Sequence, residues 1–251
     1  MHTAIIPAAG RGTRMLSLTR ATPKELLPLG RMPVLQRIVE ELQRGGIDDV
    51  VIVTSPTKPA IEKHFRGFPG VRFAYQSEPL GLGHAVLAAR DLIEDGSFVV
   101  ALADAPLSGS HAHELVPALL RAQADLSVAA VIAADEVALE DTYRRGILVP
   151  QADPAPGRPV RLRDMVEKPA PGAAPGRLAS ACRYVFTPAI FNALAQTAPD
   201  ADNEIQLTDA IRRLIRSGWA VYALPLAAGQ VRHDTGNIDG YRRAVAAFAR
   251  E

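Results

Sequence analysis

Ile5-Ile6-Pro7-Ala8-Ala9-Gly10-Arg11-Gly12-Thr13-Arg14, followed by Pro23-Lys24-Glu25-Leu26-Leu27-Pro28, is the stretch that decides the fold. A short apolar strand runs directly into a glycine-containing loop. Glycine lets the backbone turn through positive φ and brings bare N–H groups against an anion. Arg14 and Lys24 then add two cations beside those amides, and together they point to a polyphosphate. A surface turn that merely happens to carry glycine and arginine would not require the Pro-Lys-Glu segment that follows.

Two familiar phosphate loops do not fit. A Walker loop ends in Gly-Lys-Ser/Thr, and neither Gly10 nor Gly12 is followed by that pair. A dinucleotide fingerprint needs a third glycine where Met15 stands.

Outward from this loop, strands and helices alternate. Thr3–Pro7, Asp49–Thr54, Val71–Tyr75 and Phe98–Ala103 read as strands, the second carrying the unbroken apolar run Val50-Val51-Ile52-Val53 of a strand covered on both faces. Val34, Leu35, Ile38, Val39 and Leu42 recur at helical spacing before a Gly45-Gly46 stop. Helices are also expected at Pro59–Phe65 and Gly83–Leu92. Repeated β-α-β units predict an α/β fold with a mostly parallel sheet and helices on both faces. Ligands of such sheets sit beyond the carboxyl ends of strands, where both the Gly10/Gly12 loop and Asp104 fall. In the second half, Asp125–Ala133, Gly146–Pro150 and Ala179–Phe186 read as strands. Leu207–Ser217 and Tyr241–Arg250 read as helices, and the proline-rich Gln151–Pro159 and Pro169–Gly176 as loops. With no internal repeat or linker, residues 1–251 are expected to form one catalytic domain with a small elaboration in the second half, roughly 140–240.

Bulk properties restrict the function classes. The 251 residues include 28 basic and 27 acidic side chains, so a net charge of +1 supplies no general field for nucleic acid or an anionic membrane. The single cysteine, Cys182, rules out an internal disulfide and a multi-thiolate metal site. Met1-His2-Thr3 leads into a strand without a signal-peptide pattern, and no stretch approaches the roughly 20 apolar residues of a membrane span. A cytoplasmic protein is the expectation.

Further segments carry a resemblance: Gly81-Leu82-Gly83-His84-Ala85; Val166-Glu167-Lys168-Pro169; Asn203-Glu204-Ile205-Gln206-Leu207-Thr208-Asp209-Ala210-Ile211; and Asp234-Thr235-Gly236-Asn237. With the opening loop and Pro23-Lys24-Glu25, the chain resembles the sugar-phosphate nucleotidyltransferases, and within them the bacterial UTP–glucose-1-phosphate uridylyltransferases. The resemblance implies a Rossmann-like, mostly parallel mixed sheet of the nucleotide-diphospho-sugar transferase type. It also implies a direct displacement of pyrophosphate from UTP by the phosphate of glucose 1-phosphate, a Mg2+ cofactor, and a homodimer or tetramer.

Carried over residue by residue, the resemblance places Ala8, Ala9, Gly10, Gly12 and Thr13 on the triphosphate, with Arg14 near the leaving pyrophosphate and Lys24 beside the α-phosphate. Gln76 and Gly81 match positions meeting the edge of the base. Asp104 and Asp234 match magnesium ligands, and oxygen donors suit that hard cation. Glu167 matches a ligand of sugar hydroxyls, Lys168 one of the nucleophilic phosphate, and Gly146 a glycine close to the sugar. On a strand, Glu167 and Lys168 point to opposite faces, so a bulge or strand end is needed if both are to face one ligand. Glu204 and Asp209 lie in a recognisable segment whose purpose is only partly argued: Thr208 or Asp209 could start a helix, and contact with the sugar stands beside that structural reading. His84 and His233 are structural, since the displacement needs no histidine base.

The chain departs from the family at Ala105-Pro106-Leu107-Ser108-Gly109 and at Arg145-Gly146, where tyrosine-glycine is more usual. Two alternatives stand beside the uridylyl reading. One is transfer from dTTP or CTP to a related sugar 1-phosphate, and the other is a non-catalytic nucleotide-sugar-binding homologue.

Overall fold

The computed structural model describes residues 2–15, 19, 22–94 and 96–249, with Arg14 as backbone alone. Its centre is a nine-stranded mixed sheet. In chain order the strands are β1 (Thr3–Pro7), β2 (Asp49–Thr54), β3 (Val71–Tyr75), β4 (Phe98–Ala101), β5 (Ala130–Glu136), β6 (Gly146–Pro150), β7 (Val160–Glu167), β8 (Leu178–Phe186) and β9 (Val221–Pro225). Across the sheet they lie β3-β2-β1-β4-β8-β5-β9-β7-β6. β1 pairs in parallel with β2 and β4, β2 with β3, and β5 with β9, whereas β7 and β8 are antiparallel to their neighbours.

The alternation along β1 explains the two-sided packing. Ala4 and Ile6 enter one core with helices α1 (Val34–Arg44), α2 (Pro59–Phe65), α4 (Leu115–Leu126) and α7 (Ile238–Ala247). Ile5 enters the other with α3 (Leu82–Ala88), α5 (Ala189–Ala195) and α6 (Leu207–Arg216). A strand buried on both faces needs no polar positions, hence the unbroken apolar runs. One ion pair crosses the first core: Glu41 of α1 receives Arg183 of β8 through Nε at 2.9 Å and Nη2 at 2.7 Å. Bidentate geometry offsets the cost of burying both charges.

The expected mixed α/β architecture is present, with several boundaries moved. The Asp125–Ala133 strand expectation needs correction, because α4 runs to Leu126 and β5 begins only at Ala130. Leu115, Val116, Leu119 and Ala122 form the buried face that makes this segment helical. Gly83–Leu92 divides into α3 and a 3-10 turn at Arg90–Leu92, and the terminal helix spans Ile238–Ala247. α5, β7 and β9 escaped the periodicity reading.

Two features bring the second half to the opening loop. β6 sits at the sheet edge yet also touches β8 through Ile147 and Ala179, so the β6–β7 hairpin bends back. β8 breaks its register between Ser180 and Tyr184, where Cys182 adopts φ +63°. Such a bulge re-aims a strand near a site.

Candidate active site

A cleft of about 1080 Å3 opens beyond β1 and β4. It is lined by Ala8, Ala9, Gly10, Gly12, Thr13, Lys24, Gln76, Gly81, Asp104, Gly146, Glu167, Lys168 and Asp234, so residues far apart in sequence share one space. The side chain of Arg14 lies outside the described residues. A smaller compartment of about 460 Å3 adjoins it, sharing Ala9, Arg11, Gly12, Lys24 and Gln76.

The loop uses its two glycines differently. Gly12 has φ +65°, which a side chain disfavours, and a Cβ there would stand 3.5 Å from Lys24 Cδ. Gly10 is not among the positive-φ glycines, and a Cβ there would meet nothing within 4 Å, so the fold itself does not demand glycine at this position. The loop is braced from β2's far end by a residue that motif reading passed over. Lys58 Nζ donates to the Ala8 carbonyl and to Glu25 Oε1, both at 2.9 Å. Glu25 is 1% exposed, and its Oε2 is buried with no partner. The signal for Lys58 was topological: β1 and β2 are parallel neighbours, so the loops at their carboxyl ends meet.

On the base side, Gln76 is 3% exposed. Its Nε2 donates to the Gly81 carbonyl at 3.0 Å and lies 3.0 Å from His84 Nδ1. The amide donor is therefore spent inside the protein, leaving Oε1 to accept and the Gly81 N–H to donate. His84, read as structural from sequence, fixes which way this amide faces. Gly81 is obligatory, with φ +94° and a Cβ position 2.8 Å from Glu204 Cβ and from both Ile205 N and O. Leu80 O accepts from Ile205 N, and Ile205 O from Gly83 N, both at 2.8 Å. This staple explains why the Gly-Leu-Gly and Asn-Glu-Ile segments occur together. Asp200 braces the latter by accepting from the Asp202 and Glu204 amides at 2.9 and 3.0 Å and from Gln206 at 2.8 Å.

The acidic pair is held from several directions. Thr235 donates to the Asp104 carbonyl through N at 2.9 Å and Oγ1 at 3.0 Å. Gly236 N donates to Asp234 Oδ1 at 2.9 Å. A Cβ on Gly236 would lie 2.8 Å from Asp104 Oδ2 and 3.1 Å from Asp234 Oδ1, so both acids border one small space. Lys24 Nζ contacts Asp104 Oδ2 at 2.6 Å, and Arg145 Nη2 lies 3.5 Å from Asp234 Oδ2. Two hard carboxylates around a space kept open by glycine fit a divalent cation that shares substrate phosphates and water. No group of three or more His, Cys, Asp or Glu forms a metal cluster among the described residues.

The strand-end question at Glu167 and Lys168 is resolved by the backbone. Glu167 ends β7, and Lys168 leaves the pleat with φ +38°. Both side chains then line the cleft, 3.1 Å apart at Lys168 Nζ and Glu167 Oε1. Thr208 Oγ1 donates to Glu167 Oε2 at 2.6 Å. A Cβ on Gly146 would meet Thr208 Oγ1 at 3.2 Å and Glu167 Oε2 at 3.3 Å, so glycine keeps this wall open. From sequence, Thr208 was read only as a residue that could start a helix, and Arg145 only as a departure from the family's usual tyrosine; neither was given a place in the site. Cys182 also borders the cleft, but burial pushes its thiol up to about 11, so it stays protonated and is no nucleophile.

Among the described residues, no helix is long and apolar enough to cross a membrane. The family model for nucleotidyl transferases matches residues 3–251. A UTP–glucose-1-phosphate uridylyltransferase of Bacillus subtilis is 40% identical over 238 residues, covering 84% of this chain and 79% of its own. A second such enzyme, from Staphylococcus saprophyticus, is 38% identical over 271 residues, covering 98% and 91%. A solved UDP-glucose pyrophosphorylase in complex with UDP-glucose superposes with a TM-score of 0.91 at 31% identity, covering 100% of this chain and 99% of that one. A fold shared at this depth, with the family match running nearly end to end, leaves one assignment: the chain belongs to the nucleotidyl transferase family.

Proposed function

We propose that the chain is a UTP–glucose-1-phosphate uridylyltransferase that uses magnesium. A phosphate oxygen of glucose 1-phosphate attacks the α-phosphorus of UTP, the bond to the β-phosphate oxygen breaks, and pyrophosphate leaves with that electron pair. Such a displacement asks the protein for in-line positioning and charge neutralisation. Supporting this reading above all is that the phosphate loop, Lys24, Gln76, Gly81, Asp104, Asp234, Glu167 and Lys168 line one cleft of about 1080 Å3.

The amides of 8–13 hold the triphosphate, and Arg14 is the residue assigned to the leaving pyrophosphate. Lys24, now on Asp104, turns to the α-phosphate as charge gathers there. Gln76 Oε1 accepts from the N3–H of uracil while Gly81 N–H donates to an adjacent carbonyl. Cytosine lacks that N3–H, so this pair favours UTP over CTP; thymine offers the same edge, and selection against dTTP rests elsewhere. Glu167 accepts sugar hydroxyls beside Gly146, and Lys168 meets the attacking phosphate. Asp104 and Asp234 would hold the magnesium ion, which supplies charge neutralisation on the phosphates when bound. Residues in roughly 140–240 serve the sugar side of a single catalytic unit.

The test is a matrix of UTP, dTTP and CTP against several sugar 1-phosphates, read as pyrophosphate release. UTP with glucose 1-phosphate is expected to be the fastest pair. A clear preference for dTTP moves the chain to thymidylyl transfer, and nucleotide binding without turnover makes it a sensor.

A further inference from the structure

Two guanidiniums that serve the fold are held firmly by carboxylates. Arg183 gives Nε and Nη2 to the two oxygens of Glu41 and Nη1 to the Cys182 carbonyl at 3.1 Å. Arg212 holds both oxygens of Asp164, at 2.8 and 3.0 Å. Arg145 is different. It lines the cleft with its side chain 18% exposed, and its ion pair with Asp234 is 3.5 Å, too long for a good hydrogen bond. Its Nε–H is buried and has no acceptor. A buried donor without a partner is costly, and a turn of the guanidinium toward a ligand rich in acceptor oxygens removes that cost.

The backbone sets Arg145 next to Lys168. Gly146 and Glu167 are register partners across β6 and β7, and Lys168 N donates to the Arg145 carbonyl at 3.0 Å. Two cations therefore stand just beyond the adjoining ends of neighbouring strands, at the cleft wall that carries Glu167. A planar fork beside a point charge suits a phosphate monoester, whose oxygens accept from both.

We propose that Arg145 binds the phosphate of the incoming sugar 1-phosphate together with Lys168, exchanging its loose contact with Asp234 for phosphate oxygens. This deepens the uridylyltransferase reading and rests on it. The long pair with Asp234 keeps the guanidinium in range before substrate arrives. Arg145 is then a catalytic residue that steadies the nucleophile.

The experiment compares the unsubstituted protein with Arg145→Gln and Arg145→Lys. Pyrophosphate release is followed while UTP and glucose 1-phosphate are varied separately, and glucose 1-phosphate is titrated calorimetrically into protein saturated with UTP, metal withheld. Arg145→Gln is expected to raise the KM for glucose 1-phosphate about tenfold or more, with the KM for UTP within about twofold. Arg145→Lys, which keeps the charge, recovers most of the loss, and calorimetric affinities follow the same order. An unchanged KM for glucose 1-phosphate in Arg145→Gln overturns the proposal. So does an equal rise in both KM values with a lowered Tm, which marks Arg145 as a structural counter-ion of Asp234. An unsubstituted protein that neither turns over nor binds glucose 1-phosphate overturns the parent reading, and the proposal with it.

Discussion

Lys24 Nζ rests 2.6 Å from Asp104 Oδ2, joining a residue of the opening loop region to one beyond β4. The lysine thus stands where positive charge is needed when a triphosphate arrives, and the carboxylate holds it there. Removing a charge-stabilising group of this kind typically costs about 10²-fold or more in turnover. Lys24→Ala is expected to lose that much kcat in steady-state pyrophosphate release. Normal turnover in this variant would remove Lys24 from the α-phosphate.

Asp104→Asn tests the other half of the pair. It keeps the shape but removes a hard anionic ligand from the space beside Gly236, where Asp234 also points. The expected result is lower activity together with a higher magnesium concentration at half-maximal rate, measured by titrating magnesium at fixed UTP. An unaltered magnesium curve would move the cation elsewhere.

The Gly10/Gly12 loop and Asp104 were legible in the sequence because they follow strands whose burial shows as unbroken apolar runs. Lys24 was legible from the Pro-Lys-Glu segment beside that loop, whereas Glu167 rested on the resemblance alone, because β7 alternates buried and exposed positions and went unread as a strand. Lys58 did not stand out, and His84 and Thr208 were read only as structural residues, since each acts by holding another residue. Lys58 holds the Ala8 carbonyl, Thr208 holds Glu167 and His84 faces Gln76. Such partnerships depend on packing between distant segments, which periodicity does not encode. The same limit hid the bent β6–β7 hairpin, because one register contact, Ile147 with Ala179, shows the fold-back. α4 was missed for a plainer reason: Leu115, Val116, Leu119 and Ala122 carry a helical pattern that went unread.

Gly81→Ala separates base recognition from the rest. φ +94° with ψ 174° is a conformation that essentially only glycine adopts, and the dihedral alone costs about 1–3 kcal/mol in another residue. The added methyl also meets Ile205 backbone atoms at 2.8 Å, which cannot rotate away. The Leu80–Ile205 staple is expected to open, raising the KM for UTP about tenfold while the KM for glucose 1-phosphate moves less. Kinetics with each substrate varied in turn decide it; an unaffected UTP KM would place the base elsewhere.

Asp209 supplies a pH signature. Burial, and then the nearby Glu167 carboxylate, raise its pKa above the ordinary aspartate value. The folded state therefore holds this proton more tightly than the unfolded chain does. Its charge disfavours folding above the folded pKa, and the penalty vanishes once pH falls below the unfolded value. Relative to the wild type, Asp209→Asn should gain stability as pH rises from about 3 to 7, since asparagine has nothing to ionise. Urea unfolding of both proteins at several pH values measures this. A stability difference that is flat with pH would contradict the direction of the shift.

Thr208 is expected to control the sugar side without touching the nucleotide. Its hydroxyl donates at 2.6 Å to Glu167 Oε2, and Lys168 Nζ lies 3.1 Å from Oε1, so the carboxylate is pinned at both oxygens. Hydrogen bonds to charged groups contribute about 1.5–3 kcal/mol, and about 1.4 kcal/mol is tenfold in affinity. Thr208→Val keeps the shape and removes the donor, freeing Glu167 to rotate. Its KM for glucose 1-phosphate should rise about tenfold at an unchanged KM for UTP. Thr208→Ser, which retains the hydroxyl, should stay near the wild type. If valine and serine behave alike, the methyl rather than the hydroxyl is what this position contributes, and Glu167 is oriented by Lys168 and the β7 backbone alone.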